Sequence, residues 1–272
     1  MTDQSLKYVK GVFLDWAGTV VDYGCFSPLD VFIEIFKKRG IDVTQEEARK
    51  PMGLLKWDHI QEMCKMERIA NLWKEKFGRL PEKKDVDSLY ADFEPMLFSI
   101  LPNYSMTIPG AVEMAKSLRA MGLKIGSTTG FTRKMMDIVA PAAEKQGYAP
   151  DSIVTADEMP AGRPYPWMIF QNAINLGIYP LQHAIKIGDS ISDIKEGLNA
   201  GAWTVGVIKG SNELGMTEEE VKQCDPDVLA DKVEAVGKRF KKAGAHYVIE
   251  SIGDIVELVP KIDLRISQIE GK

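Results

Sequence analysis

The chain has 272 residues, 45% hydrophobic and 27% charged, a length and balance that can bury one sizeable core and a small second one. Its 34 basic and 39 acidic residues leave a formal charge of −5, which excludes a basic footprint for nucleic acid or an anionic membrane surface and points to small-molecule chemistry. No apolar run approaches the roughly 20 residues that cross a bilayer.

Met1 to Ser5 lacks the basic region and apolar core of a secretory leader, and Cys25, Cys64 and Cys224 have neither zinc nor disulfide spacing. A soluble, unprocessed cytoplasmic protein is expected, with Cys64 and Cys224 as buried thiols and no nucleic-acid or membrane partner. In chain order, Val12-Phe13-Leu14 is an apolar run that ends on Asp15 and the turn Trp16-Ala17-Gly18-Thr19. A buried strand presenting Asp15 at its carboxyl end follows, which is where open α/β sheets bind ligands. Pro28 to Ser99 shows only helical periodicity: Val31, Phe32, Ile35 and Phe36, then Ile60, Met63 and Cys64, then Leu89, Phe93, Met96 and Leu97. Within it, Thr44-Gln45-Glu46-Glu47 fits a capping box, so a short helix is predicted to start there and stop near Pro51. From Pro109-Gly110 onward helices alternate with short apolar strands at Lys124 to Ser127, Ile153 to Thr155, Ala184 to Gly188, Trp203 to Val207 and Tyr247 to Ile249. The fold class read from this order is α/β: a Rossmann-like, doubly wound parallel sheet from residues 1–24 and 105–272, with an all-helical cap, residues 25–104, inserted after the first strand.

Four segments carry chemistry. Asp15 is a carboxylate nucleophile or metal ligand, although a lone strand-end aspartate is more often a cap or turn residue. Ser127-Thr128-Thr129-Gly130 ends a strand with hydroxyls and an open glycine backbone that suit phosphate oxygens. Ala161-Gly162-Arg163-Pro164-Tyr165-Pro166 holds Arg163 in a proline-flanked turn, able to neutralise a transferring phosphoryl group. Gly188-Asp189-Ser190-Ile191-Ser192-Asp193 sets two acids four apart after an apolar strand, hard oxygen ligands that favour magnesium over zinc.

In this order the segments resemble the haloacid dehalogenase (HAD) superfamily. The resemblance implies that Asp15 attacks phosphorus and becomes an aspartyl phosphate, with Mg²⁺ held by Asp15, the Ala17 carbonyl and Asp189. Thr129 and Arg163, with Gly130, then contact phosphate, and Asp193 supports the acidic motif. In the common phosphate-transfer version a second aspartate stands where this chain has Ala17 and protonates the departing alcohol, so a different leaving-group activation is required here.

The segment Arg49-Lys50-Pro51-Met52-Gly53-Leu54-Leu55-Lys56-Trp57-Asp58-His59 is the most unusual stretch of the cap. Lys56 follows a helix break among apolar neighbours, where desolvation lowers an amine's pKa and makes it nucleophilic; for an arbitrary lysine a solvated role is the more common one. Together with Asp15 to Thr19 and Ala161 to Trp167, this segment resembles the phosphonoacetaldehyde hydrolase (phosphonatase) family, over Asp15 to about Met216. That resemblance implies an enzyme that hydrolyses the phosphorus–carbon bond of phosphonoacetaldehyde through a Lys56 Schiff base. His59 is then a proton relay, Met52 and Gly53 shape the lysine pocket, and Cys25, with Tyr23, lines the cleft. Phe131 stands where the family often has tyrosine. A homodimer through the cap is expected from helix Pro28 to Arg39, which carries apolar residues on more than one face. The competing readings are a sugar-phosphate phosphatase or mutase, with Lys56 as a clamp, and a noncatalytic phosphometabolite sensor; Ala17 weakens the first, and the retained Asp15, Arg163, Asp189 and Asp193 weaken the second.

Overall fold

The computed structural model describes residues 6–271, so the N-terminal reading on Met1 to Ser5 lies outside the described residues. Strands β1 (Gly11–Leu14), β2 (Lys124–Thr129), β3 (Ser152–Thr155), β4 (Ala184–Gly188), β5 (Trp203–Val207) and β6 (Tyr247–Ile249) form one parallel sheet. Their spatial order is β3-β2-β1-β4-β5-β6, so the order reverses between β1 and β4. That reversal opens a crevice at the carboxyl ends of β1 and β4.

β1 is buried throughout because both of its faces are covered. Val12 and Leu14 join the main core, while Phe13 points the other way into a cluster with Ile169, Ala173 and Ile178. β2 runs two residues beyond the expected Ser127, because Thr128 and Thr129 pair in register with Val154 and Thr155. The backbone ladder continues there through polar residues that find partners at its end.

Between β1 and β2 the chain is helical: α1 (Ser27–Lys37), α2 (Gln45–Arg49), α3 (Lys56–Lys65), α4 (Glu67–Phe77), α5 (Lys83–Ile100) and α6 (Ala111–Ala120). The capping box forms as the sequence predicts: Thr44 Oγ1 accepts from Glu47 N–H, and Glu47 accepts from Thr44 N–H. Helix α2 then stops one residue before Lys50-Pro51. On α1, Val31, Phe32, Ile35 and Phe36 are buried and Ile33 packs on the same core, so the apolar faces that suggest a cap-mediated dimer are satisfied within one chain.

After β2 follow α7 (Arg133–Lys145), α8 (Trp167–Leu176), α9 (Ile191–Ala200), α10 (Glu218–Gln223), α11 (Pro226–Lys242) and α12 (Ile255–Glu270). The C-terminal segment thus adds the edge strand β6 between two long helices. Cys64 is buried as expected, whereas Cys224 is only half-buried because it caps the short helix α10 at the surface. His183 and His246 are packing residues: one pairs with Glu270 at 2.7 Å, and the other contacts Thr204 Oγ1 at 2.8 Å. No helix among the described residues is long and apolar enough to cross a membrane.

Helix α12 also fixes the approach to β1. Asp263 Oδ1 accepts from the N–H groups of Tyr8 and Val9 at 2.7 and 2.8 Å. Asp263→Ala should remove these charge-assisted bonds and lower stability by about 2 kcal/mol, read from urea unfolding; an unchanged midpoint would show that they contribute nothing net.

Candidate active site

The site is built at the reversal of strand order. Asp15 follows β1, and its N–H donates to Ile187 O at 3.0 Å, so the nucleophile candidate is tied to β4. The next turn passes against Asp189: Gly18 has φ +83, and a Cβ there would overlap Asp189 Oδ2, so only glycine fits. Asp189 follows β4 and accepts from Asn212 N–H at 2.7 Å. Ser190 caps α9, donating to Asp193 Oδ2 at 2.5 Å. One oxygen each from Asp15, Asp189 and Asp193 lie within 4.8 Å of one another.

Arg163 reaches this cluster from the turn before α8, its peptide bond to Pro164 being cis. Its Nη2 lies 2.7 Å from Asp15 Oδ1 and 3.1 Å from Asp193 Oδ1, and its Nε lies 2.9 Å from Glu196 Oε2. Against burial that disfavours its charge, Asp15, Asp193 and Glu196 hold Arg163 protonated, well above its ordinary pKa. Burial likewise opposes ionisation of Asp193, but Arg163 and Lys186 outweigh it and keep that carboxyl below its ordinary range. Asp189 has no such ion pair among the described residues: burial and the charges of Asp15 and Asp193 push it well up.

Four carboxylates in this cluster, Asp15, Asp189, Asp193 and Glu196, are buried beside two cations, Arg163 and Lys186. With all four ionised the excess is two negative charges, the condition that pushes Asp189 up, and the donors are all oxygen. A hard divalent cation therefore fits the crowded side formed by Asp15 and Asp189. Asp193 is instead committed to Lys186 and Arg163.

Opposite this floor, the loop between α2 and α3 docks onto the core. Met52 O accepts from Ser192 Oγ at 3.0 Å, and Gly53 O faces Arg163 Nη1 at 3.4 Å. Gly53 has φ +88, and a Cβ there would overlap the Ser190 and Ser192 hydroxyls. The loop delivers Lys56 as the first residue of α3, only 3% exposed. Its Nζ packs 4.9 Å from the Phe131 ring centre and 5.9 Å from that of Phe32. Burial lowers its pKa below that of an ordinary lysine, with the charge of Asp15 opposing.

Asp15, Ala17, Cys25, Met52, Gly53, Lys56, Thr129, Gly130, Phe131, Arg163 and Asp189 enclose one cavity of about 10 Å³. Of the site residues singled out from sequence, His59, Asp193 and Tyr23 lie outside that lining; Tyr23, expected to line the cleft with Cys25, instead borders surface grooves beside Pro109 and Glu218. His59 Nε2 donates to Ala48 O at 2.8 Å, its ring stacks on Phe32, and burial and the Lys56 charge hold it neutral, well below its usual pKa. Thr129 lines the cavity, but its Oγ1 also accepts from Phe131 N–H. Cys25 reaches the cavity because it adopts φ +54 in a turn that Asp22 closes, accepting from Phe26 and Ser27 N–H at 3.0 and 2.9 Å. Burial pushes the Cys25 thiol well up and Asp22 to about 6.

Sequence reasoning missed Asp22, Lys186, Glu196 and Asn212. Lys186 interrupts the apolar run Ala184 to Gly188, and Glu196 follows Asp193 by one helical turn, so both left a signal. Asn212 left none. It joins the two halves of the site, since its Oδ1 accepts from Arg49 Nη1 at 3.1 Å while its N–H holds Asp189.

A family model of haloacid dehalogenase-like hydrolases matches residues 9–201. The chain belongs to that family. Within it, a phosphonoacetaldehyde hydrolase of Bacillus cereus is 57% identical over 94% of this chain and 97% of its own length. A bifunctional phosphonoacetaldehyde hydrolase/aminoethylphosphonate transaminase of Clostridioides difficile is 59% identical over 94% of this chain, but the match spans only 40% of that protein. The crystal structure of a phosphonoacetaldehyde hydrolase-like protein from Oleispira antarctica superposes with a TM-score of 0.94 at 38% identity, covering 97% of this chain and 96% of that one. This chain is thus a HAD-family hydrolase of the phosphonoacetaldehyde hydrolase group.

Gly53→Ala should keep the fold but undock the loop. Amide exchange at Leu54 to Lys56 is expected to rise by about tenfold or more, equivalent to roughly 1.4 kcal/mol of local stability, with global unfolding little changed; unaltered exchange would contradict the fit described for Gly53.

Proposed function

We propose that the protein hydrolyses phosphonoacetaldehyde to acetaldehyde and phosphate, using Lys56 as a Schiff-base amine and Asp15 as the phosphoryl acceptor. The observation that carries this reading is one shared cavity: a buried lysine with a lowered pKa faces the buried aspartate, and Ala17 supplies no acid. The names of the curated relatives support the substrate.

Direct cleavage of a phosphorus–carbon bond expels a carbanion, and protonating an oxygen does not help it leave. The neutral Lys56 amine adds to the aldehyde and loses water, giving a protonated imine. Asp15 then attacks phosphorus; the P–C bond breaks and its electron pair moves into the imine, leaving an enamine and an aspartyl phosphate. One water hydrolyses the aspartyl phosphate. The enamine takes a proton at carbon, and a second water releases acetaldehyde and free Lys56. The sum is one water consumed, since condensation returned the other.

Arg163 neutralises charge on the phosphoryl oxygens, and Thr129 and Gly130 line their side of the cavity. Asp15, the Ala17 carbonyl and Asp189 would hold Mg²⁺, which would supply Lewis-acid charge stabilisation. His59 lies one turn beyond Lys56 with Nε2 bonded to Ala48 O, so a relay through it would use Nδ1, which has no hydrogen-bond partner among the described residues. A cavity of about 10 Å³ holds no phosphonate, so the helical segment, acting as a cap, must open to admit substrate. The adjoining groove of about 380 Å³ shares Met52 and sets Lys50, Lys65 and Lys195 against Glu62 and Glu213, a small positive excess on the approach of an anion. Free cysteines agree with a reducing, cytoplasmic setting.

Borohydride added with phosphonoacetaldehyde should leave a reduced adduct on Lys56, found by peptide mass mapping. Lys56→Arg keeps the charge but should abolish the adduct and lower turnover by at least about 10³-fold, as when a covalent catalyst is removed. Because burial lowers the Lys56 pKa, the neutral amine accumulates at lower pH than in an exposed lysine, with its pKa of about 10.4. The trapping rate should therefore rise with pH and level off below that value; a rise centred at the exposed-lysine value would refute an activated amine.

Restoring the usual acid by Ala17→Asp would add a fifth carboxylate to the cluster. Turnover of phosphonoacetaldehyde is expected to fall at least about tenfold, or roughly 1.4 kcal/mol of barrier. Unchanged kcat/KM would break the proposed link between Ala17 and imine chemistry.

A further inference from the structure

Glu196 and Lys186 have no part in the reaction above, yet both are fully buried. Each is held by several partners. Glu196 Oε2 accepts from Arg163 Nε at 2.9 Å and from Thr128 Oγ1 at 3.0 Å, and lies 3.2 Å from Lys186 Nζ. Lys186 Nζ also donates to Thr128 Oγ1 at 2.7 Å and lies 2.8 Å from Asp193 Oδ1. Thr128 Oγ1 accepts a further bond from Arg163 Nη2 at 2.8 Å. A hydroxyl offers one proton and two lone pairs, so Thr128 is saturated and its orientation is determined.

The consequence falls on Arg163. Its three nitrogens go to three different parts of the fold: Nε to Glu196 on α9, Nη2 to Asp15 after β1, and Nη1 towards Gly53 O in the docked loop. A guanidinium is planar, so fixing Nε and Nη2 fixes the whole fork. We propose that Glu196 and Lys186 are positioning residues: Glu196 anchors the Nε edge of Arg163, and Lys186 holds Glu196, Asp193 and Thr128 together, so that the Nη groups face Asp15 and the group transferred to it.

The arrangement has a use during transfer. When Asp15 forms its bond to phosphorus, Arg163 loses a full carboxylate partner. Glu196 and Asp193 still hold the guanidinium, so its charge stays aimed at the phosphoryl oxygens without reorganisation. A pair that served only to balance charge would need no such directed contacts. The inference rests on the proposed function for the identity of the transferred group but is independent of the chemistry at Lys56.

Glu196→Gln keeps the size of the side chain and removes its charge. We expect kcat to fall about ten- to a hundredfold, as for a displaced catalytic group, with KM little changed. The borohydride adduct on Lys56 should form at the wild-type rate, because the amine lies across the cavity. The double variant Glu196→Gln/Lys186→Met restores the net charge and should remain as slow as the single one. If Lys186→Met does not fold, Thr128→Val, which removes the shared hydroxyl, takes its place with the same expected loss of kcat. Wild-type kcat in Glu196→Gln, recovery in the double variant, or an adduct lost in step with kcat would each overturn the proposal. If the wild type itself yields no Lys56 adduct, the Schiff-base reading falls, and the kcat and KM comparison on whatever phosphoryl substrate it turns over decides this inference separately.

Discussion

Four carboxylates are buried beside two cations at the carboxyl ends of β1 and β4, and the rest of the site follows from keeping them there. Burying unpaired charge is costly, by several kcal/mol per ion. Asp193 and Glu196 escape that cost through Arg163 and Lys186, and Asp15 through Arg163, whereas Asp189 has no such ion pair among the described residues. The imbalance is therefore local. It separates carboxylates closed by ion pairs within the protein from Asp189, beside which a hard cation would fit.

The helical segment completes this floor instead of merely covering it. Gly53 allows its loop to lie against Ser190 and Ser192, residues of the same turn that carries Asp189 and Asp193. Arg49 reaches Asn212, whose backbone N–H holds Asp189. Docking of the loop that carries Lys56 and positioning of Asp189 thus share neighbouring atoms. Lys56 comes to rest on Phe131 and Phe32 with its charge disfavoured by burial, away from the ion pairs that keep Arg163 protonated. The same small volume holds a guanidinium that stays charged and an amine inclined to lose its proton, and the difference lies in their partners.

Much of this is legible in the chain. The strand positions could be read from apolar runs because a parallel sheet covered on both faces needs them, and β4, β5 and β6 begin and end where expected. Ladder pairing with β3 carried β2 onward through two threonines, which apolar patterning cannot foresee. Phe131 stands beside Lys56 as an aromatic face without a hydroxyl. His59 is on the expected helix, but its committed Nε2 and stacked ring depend on Ala48 and Phe32, residues distant in sequence.

By itself the sequence determined the fold class, the candidate nucleophile and the acidic pair, because each is carried by residue type and short-range spacing, while Ala17 and Lys56 stood out through resemblance to a family. Only the tertiary structure decided that Lys186, Glu196 and Thr128 orient Arg163, that Asn212 joins Arg49 to Asp189, and that Lys56 is desolvated instead of ion-paired. Those outcomes depend on which charges meet after the helical segment folds back onto the sheet. Electrostatic interaction varies with distance and burial, and neither is written in the order of residues along the chain.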